Sequence, residues 1–254
     1  MLAALALLAS GLVFPAAAQK LDPAVSRIAS YSFGDDREPL TVVETVVRDA
    51  LGDPNRCLGL EKQFVTLLES GDATYYCRDF ICRQLWIMGS DESVPVLAGM
   101  LTTDKKYSDM ARYALQQNPS DKASKALRDA LKKTDGDIRI GIINSIGLRE
   151  DEKAIKDLVK VAQKSDWPTA RAIMNALGSI GSDKAVKEVQ TVRDKTGDYR
   201  HEGASCALLL VAEKRLGAGD RDAAAAIYKS LCSVGESERI KRSALIGLEA
   251  CLFE

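Results

Sequence analysis

Catalysis needs groups that can act together, and this sequence offers few of them. It has one histidine, His201, in the run TGDYRHEGASC at a predicted helix start. A single imidazole excludes a multi-histidine zinc site, and any Ser–His or Cys–His arrangement would have to use it. No partner motif accompanies it, so His201 reads as a solvated or capping residue and not as a general base. No Walker loop, dinucleotide-binding glycine fingerprint, nucleophile elbow or zinc-protease motif occurs. Asp135 and Asp137 in TDGDIR suggest an oxygen-rich calcium loop, but its remaining ligands are missing and the composition is that of a turn. The expectation is of no catalytic residue, no metal and no cofactor.

The six cysteines permit three disulfides in an oxidising compartment. If helices near 199–216 and 220–232 fold back at Gly217 to Gly219, Cys206 and Cys232 stand within about one turn of the same height, at about 1.5 Å rise per residue. The same mirror argument around Gly71 pairs Cys57 with Cys82 better than with Cys77. Bridges Cys206–Cys232 and Cys57–Cys82 are one expectation; small buried thiols facing the core are the other. No Cys-x-x-Cys pair favours a metal site.

Charge repeats at fixed positions. Lys122, Lys153 and Lys184 lie 31 residues apart, as do Lys125, Lys156 and Lys187, and again Lys133, Lys164 and Lys195. Asp121, Glu152 and Asp183 keep the same spacing one residue before the first row. Carboxylates favour helix N-termini and lysines favour C-termini, each by about 0.3–1 kcal/mol, which is the plain account of such rows. Over the whole chain 35 Lys and Arg balance 36 Asp and Glu, so no overall field steers it to nucleic acid or an anionic membrane. Recognition by charge has to come from local arrangement.

The elements that carry these rows are legible from the same period. MARYALQQNPSDKASKAL from Met110, IINSIGLREDEKAIKDL from Ile142 and IMNALGSIGSDKAVKEV from Ile173 align at 31 residues, with Leu115, Ile146 and Leu177 in register. FICRQLWIMGSDESVPVLAGML from Phe80 fits one residue shorter. CALLLVAEKRLGAGDRDAAAAIYKSL from Cys206 follows more loosely, then ERIKRSALIGLEACL supplies another first helix. With a divergent unit near residues 40 to 70, that makes about six helical hairpins. Apolar residues at i, i+3, i+4 and i+7 run along both helices of a unit: Ile140, Ile143, Asn144 and Gly147, where Asn144 breaks the stripe, then Ile155, Leu158, Val159 and Ala162. Ser120 and Ser182 are predicted N-caps, and Gly89, Gly147, Gly178 and Gly217 predicted left-handed C-caps.

Residues 1–18, MLAALALLASGLVFPAAA, carry no charge; Leu5 to Phe14 are an apolar run, and Ala16 to Ala18 are small residues before Gln19. That pattern predicts a signal peptide cleaved after Ala18, hence a secreted or periplasmic protein, although the missing basic n-region suggests a start slightly upstream. No later segment is apolar enough to span a bilayer. The expected organisation is a signal peptide at 1–18, a lead-in segment at 19–39 and helical repeats over 40–254. The end at Ala250, Cys251, Leu252 and Phe253 has no polar cap, as if the chain continued.

The stretch from Cys82 to Leu115, CRQLWIMGSDESVPVLAGMLTTDKKYSDMARYAL, resembles the HEAT-repeat modules of secreted bacterial proteins, and the resemblance continues to about Val192. It implies an all-α, right-handed α-solenoid that presents a long surface to other macromolecules, as a non-enzymatic protein-binding or scaffolding module. In such solenoids second helices line the concave surface, so the lysine rows would form a groove for an acidic protein segment or an anionic glycan. Other roles implied by the resemblance are a HEAT-like lyase attaching chromophores to cysteines, and the recognition arm of a larger secreted enzyme.

Overall fold

Stacking is what a single hairpin with two apolar faces requires, because neither face is covered until a neighbour arrives. The fold is given by a computed structural model that describes residues 21–197 and 199–252; the expected signal peptide lies outside the described residues. After a short helix α1 (Pro23–Arg27) come six hairpins. They are α2 (Glu38–Ala50) with α3 (Pro54–Glu69), α4 (Tyr75–Met88) with α5 (Val94–Met100), and α6 (Lys105–Gln117) with α7 (Asp121–Leu131). Then follow α8 (Gly136–Leu148) with α9 (Ile155–Ala162), α10 (Trp167–Ile180) with α11 (Asp183–Lys195), and α12 (Tyr199–Gly217) with α13 (Arg221–Leu231). A last first helix, α14 (Glu238–Leu252), closes the described residues, among which there is no strand.

First helices stack on first helices in chain order from α2 to α14, and each second helix also packs against the first helix of the next unit. The chain is an all-α solenoid with one apolar cluster running from Val25 to Ala244. Side-chain caps begin most helices. The Ser120 hydroxyl accepts from the Lys122 N–H at 3.0 Å and Ser182 from Ala185 at 3.4 Å, as the sequence predicts. In α8 the buried face is Ile142, Ile143, Ile146 and Gly147, while Asn144 is exposed. The predicted stripe is therefore out of frame by part of a turn, and Asn144 interrupts nothing.

The glycines depart from expectation in an informative way. Gly89 has an ordinary negative φ, and the left-handed cap that ends α10 is Gly181 at φ 63°. Gly147 and Gly178 lie inside α8 and α10. A Cβ on Gly147 would sit 2.8 Å from the Ala176 Cα, and one on Gly178 3.2 Å from the Ala207 Cα. These two positions let successive first helices touch backbone to backbone, one period apart. Carbonyls at the end of α6 and in the loop after it are tied across units as well. Arg149 donates to the carbonyls of Leu115, Gln116, Asn118 and Ser120, and Asn118 donates to Ser90 O of the unit before.

Candidate interaction surface

All nine lysines of the three rows are exposed, and the structure divides them. In the first row Lys122 pairs with Asp91 at 2.9 Å and Lys153 with Asp121 at 3.6 Å. In the second, Lys125 pairs with Asp129 at 2.6 Å within α7. The Ser120 hydroxyl and then Lys122 hold the Asp91 carboxyl below the usual carboxylate range, and the Lys125 ammonium does the same for Asp129. These lysines join acids of their own or the preceding unit; Arg215 repeats the pattern on Asp183 at 2.6 Å. Such exposed pairs add about 0–1 kcal/mol each and fix register more than they stabilise. Lys133, Lys156, Lys164, Lys184, Lys187 and Lys195 make no ion pair among the described residues.

The third row alone is unpaired throughout, and each of its members opens onto a groove. Lys133 lines the groove between α5 and α7, over Ala98, Gly99 and Thr102. Lys164 lines the next, with Leu131, Lys132, Arg139 and Lys160. Lys195 borders an apolar cleft of Val159, Ala162, Met174 and Val192 between the fourth unit and the fifth. Lys133 and Lys164 follow the ends of α7 and α9, and Lys195 ends α11. There the negative end of the helix dipole favours them.

The other singled-out residues are engaged elsewhere. Asp137 accepts from Lys105 Nζ at 2.6 Å, and Asp135 stands at the N-cap position of α8. His201 is not a solvated cap: it is half-buried, with Nδ1 2.8 Å from the Arg193 carbonyl and Nε2 3.3 Å from Glu236 Oε1. Glu236, buried in the turn before α14, also accepts from Arg193 Nε at 2.6 Å and Ser205 Oγ at 2.8 Å. This cluster ties α11, α12 and the α13–α14 turn together. Sequence reasoning missed it because its members follow no period. The same holds for Glu61, whose carboxylate accepts from Ser90 N at 2.7 Å and Ser93 N at 3.0 Å and so caps α5.

All six cysteines are free thiols in this structure, and neither expected bridge is formed. The Cys57 thiol donates to the Ala50 carbonyl at 3.2 Å, and Arg239 donates to Cys206 Sγ at 3.3 Å. Cys82 is enclosed in the core, where burial pushes its thiol pKa far up; burial also takes Cys77 to about 11. Cys232 and Cys251 are half-buried against the core.

The described residues hold a regular stack of two-helix units, and the sequence of the HEAT repeats family matches residues 124–208, from α7 into α12. Residues 124–208 are thus HEAT repeats. The units outside that match share the hairpin architecture and, back to Met110, the same 31-residue register. A solved structure described as lipid–protein interactions in lipovitellin is similar over 92% of this chain, at 14% identity and a TM-score of 0.58, a likeness of fold alone. This chain spans 29% of the length of that one. A crystal structure of an engineered protein covers 90% of this chain and is itself covered over 68%, at 19% identity and a TM-score of 0.44. No curated protein matches the sequence. HEAT repeats generally mediate protein interaction or scaffolding, and among the described residues no helix is long and apolar enough to cross a membrane.

Proposed function

We propose that this HEAT-repeat chain is a non-enzymatic scaffold of the cell envelope or extracellular space that holds an acidic protein segment across its second helices. The observation that carries the reading is the third lysine row: Lys133, Lys164 and Lys195 are exposed, have no ion pair among the described residues, and one stands at each of three successive grooves. Packed helices lie about 8–10 Å apart, and a polyproline II segment advances about 3.1 Å per residue with three residues per turn, so every third side chain points the same way. A carboxylate at every third position of a polyproline II segment would therefore meet one lysine per unit. The apolar cleft beside Lys195 would take a hydrophobic side chain next to the last carboxylate.

The test is fluorescence anisotropy of a labelled peptide with Asp or Glu at every third position. Binding should weaken with added salt, since screening acts within about 10 Å at 0.1 M. Replacing Lys133, Lys164 and Lys195 together by Glu should abolish it. Replacing the already paired Lys122, Lys125 and Lys153 should have the smaller effect. Equal effects of the two triple variants, or no effect of either, reject the reading. A sulfated polysaccharide that binds where the peptide does not would move the assignment to an anionic glycan. Export belongs to the same proposal: protein recovered from outside the cytoplasm should begin at Gln19 on N-terminal sequencing.

A further inference from the structure

We propose that the groove between the first helices α4 and α6 binds a short neutral oligosaccharide, with sugar rings stacked on aromatic side chains at its two ends and hydroxyls hydrogen-bonded to charged groups between them. Its volume is about 340 Å³, within the roughly 300–1,000 Å³ of small-ligand sites. The floor is Cys82 and Met110, both buried. At one end Tyr75 meets Tyr76 and Tyr107 edge-on, with ring centroids 5.2 and 6.2 Å away, and Phe33 extends the cluster beyond Tyr76. At the other end Trp86 lies on Tyr113, nearly parallel at 16° with centroids 5.7 Å apart. Tyr75 and Trp86 share one face of α4, three turns and about 16 Å apart by the helical rise. That span is too long for a disaccharide and within reach of a tetrasaccharide. Packing does not ask for these rings: the 31-residue register sets Asn144 and Asn175 at the position of Tyr113, and all three are exposed. With Phe33, Tyr75, Tyr76 and Trp86 exposed as well, the patch carries more ring surface than a solvated face needs.

The polar groups between the rings select the ligand. Asp79 Oδ2 accepts from Arg83 Nε at 2.9 Å, and Asp109 Oδ1 from Arg112 Nη2 at 3.1 Å. The second oxygen of each carboxylate has no hydrogen bond among the described residues. Lys106 makes no ion pair among them and stands 5.8 Å from the centroid of the Tyr75 ring. In the groove lining Arg83 and Lys106 balance Asp79 and Asp109, so no local field favours an ion of either sign. Acceptors and donors lie side by side, and a hydroxyl is the neutral group that both donates and accepts. A sugar also presents C–H groups on its ring face, which the negative π-face of Tyr or Trp attracts. A proline-rich segment is the other usual guest of aromatic-lined grooves. It offers carbonyls and few N–H groups, so it would set acceptors against the open carboxylate oxygens.

Isothermal titration calorimetry of the whole chain with cellotetraose, chitotetraose and maltotetraose, each at millimolar concentration, tests it. At least one should bind, and the matching disaccharide should bind about tenfold or more weakly, because it occupies one end only. Trp86→Ala and Tyr75→Ala should each weaken binding by about tenfold, and Trp86→Phe should bring it back to within about threefold of the parent, since a ring face is restored. Affinity should hold to within about twofold between about 0.05 and 0.5 M salt, the ligand being uncharged. Trp167→Phe, three units further along in α10, should bind like the parent. The altered side chains are exposed, so far-UV circular dichroism should match the parent throughout. Failure of all three tetrasaccharides to bind overturns the proposal, as does a disaccharide that binds as tightly, or binding indifferent to the loss of both rings. Uptake of a polyproline peptide where no sugar binds overturns it too, and gives the groove to a protein segment.

Discussion

Gly147→Ala is the substitution on which the stacking argument can be measured. In the interior of a helix, alanine is favoured over glycine by about 0.8–1 kcal/mol, so propensity alone makes the change stabilising. The structure opposes this. The new Cβ would lie 2.8 Å from the Ala176 Cα and 3.0 Å from its Cβ. Carbon atoms at rest stand about 3.5–4.0 Å apart, so α8 and α10 would have to separate by roughly 0.7 Å or more. Backbone cannot rotate out of the way as a side-chain tip can, and overpacking of this kind costs about 1–3 kcal/mol. A control isolates that cost. Gly59 sits inside α3 with nothing within 4 Å of its ideal Cβ, so Gly59→Ala gains the propensity without the clash. The difference between the two variants should therefore be about 1–3 kcal/mol, with propensity cancelling. Urea unfolding followed by circular dichroism gives the values. Hydrogen exchange should place the loss at α8 and α10, a necessary check because repeat arrays can open unit by unit. If both variants stabilise equally, the close approach of successive first helices does not govern the stack.

Glu236→Ala should cost about 3–5 kcal/mol, since it strands the buried Arg193 guanidinium and removes the acceptor of Ser205; hydrogen exchange should show the loss in α12 and α14, and a change under about 1 kcal/mol would refute the role given to the cluster. In the folded chain Cys77 and Cys82 should resist iodoacetamide at pH 8, because burial leaves almost no thiolate, while Cys57 reacts sooner; peptide mass spectrometry showing Cys82 modified as fast as Cys57 would contradict this. Asp91 has its carboxyl value lowered by Ser120 and Lys122, so the stability it contributes is present at neutral pH and is lost as pH falls through that lowered value. Asp91→Asn should accordingly lose less stability than the parent between pH 7 and pH 3, read from urea midpoints; equal losses would show that the pairing is idle.

What was legible in the sequence is what recurs. Leu115, Ile146 and Leu177, and the acid and lysine positions beside Ser120 and Ser182, announce the hairpin because every unit must solve the same packing problem. The frame within a helix was less secure. Ile140, Ile142, Ile143 and Ile146 fit more than one helical stripe, and only the neighbouring helices decide that Ile142 is buried while Ile140 is partly open. Gly147 and Gly178 misled for a related reason. Glycine near a helix end serves either a left-handed cap or a close approach, and 31-residue spacing suits both; the positive φ belongs to Gly181, three residues past Gly178.

The lysines set the clearest boundary between what a period can tell and what it cannot. Nine equivalent-looking residues share one register, yet three are committed to carboxylates and six are not, because pairing depends on what the preceding unit offers at the facing position. Lys122 meets Asp91 and Lys153 meets Asp121, while Lys184, at the same sequence offset from Glu152 as Lys153 is from Asp121, makes no ion pair among the described residues. Only the row at the helix C-termini escapes local neutralisation in all three units. The helix dipole that stabilises lysine there acts through space and needs no contact that would use up the ammonium. A position favoured by the helix itself is thus left free for an external anion. For that reason charge reversal at Lys133, Lys164 and Lys195 separates binding from register, which reversal at Lys122 and Lys153 would confound.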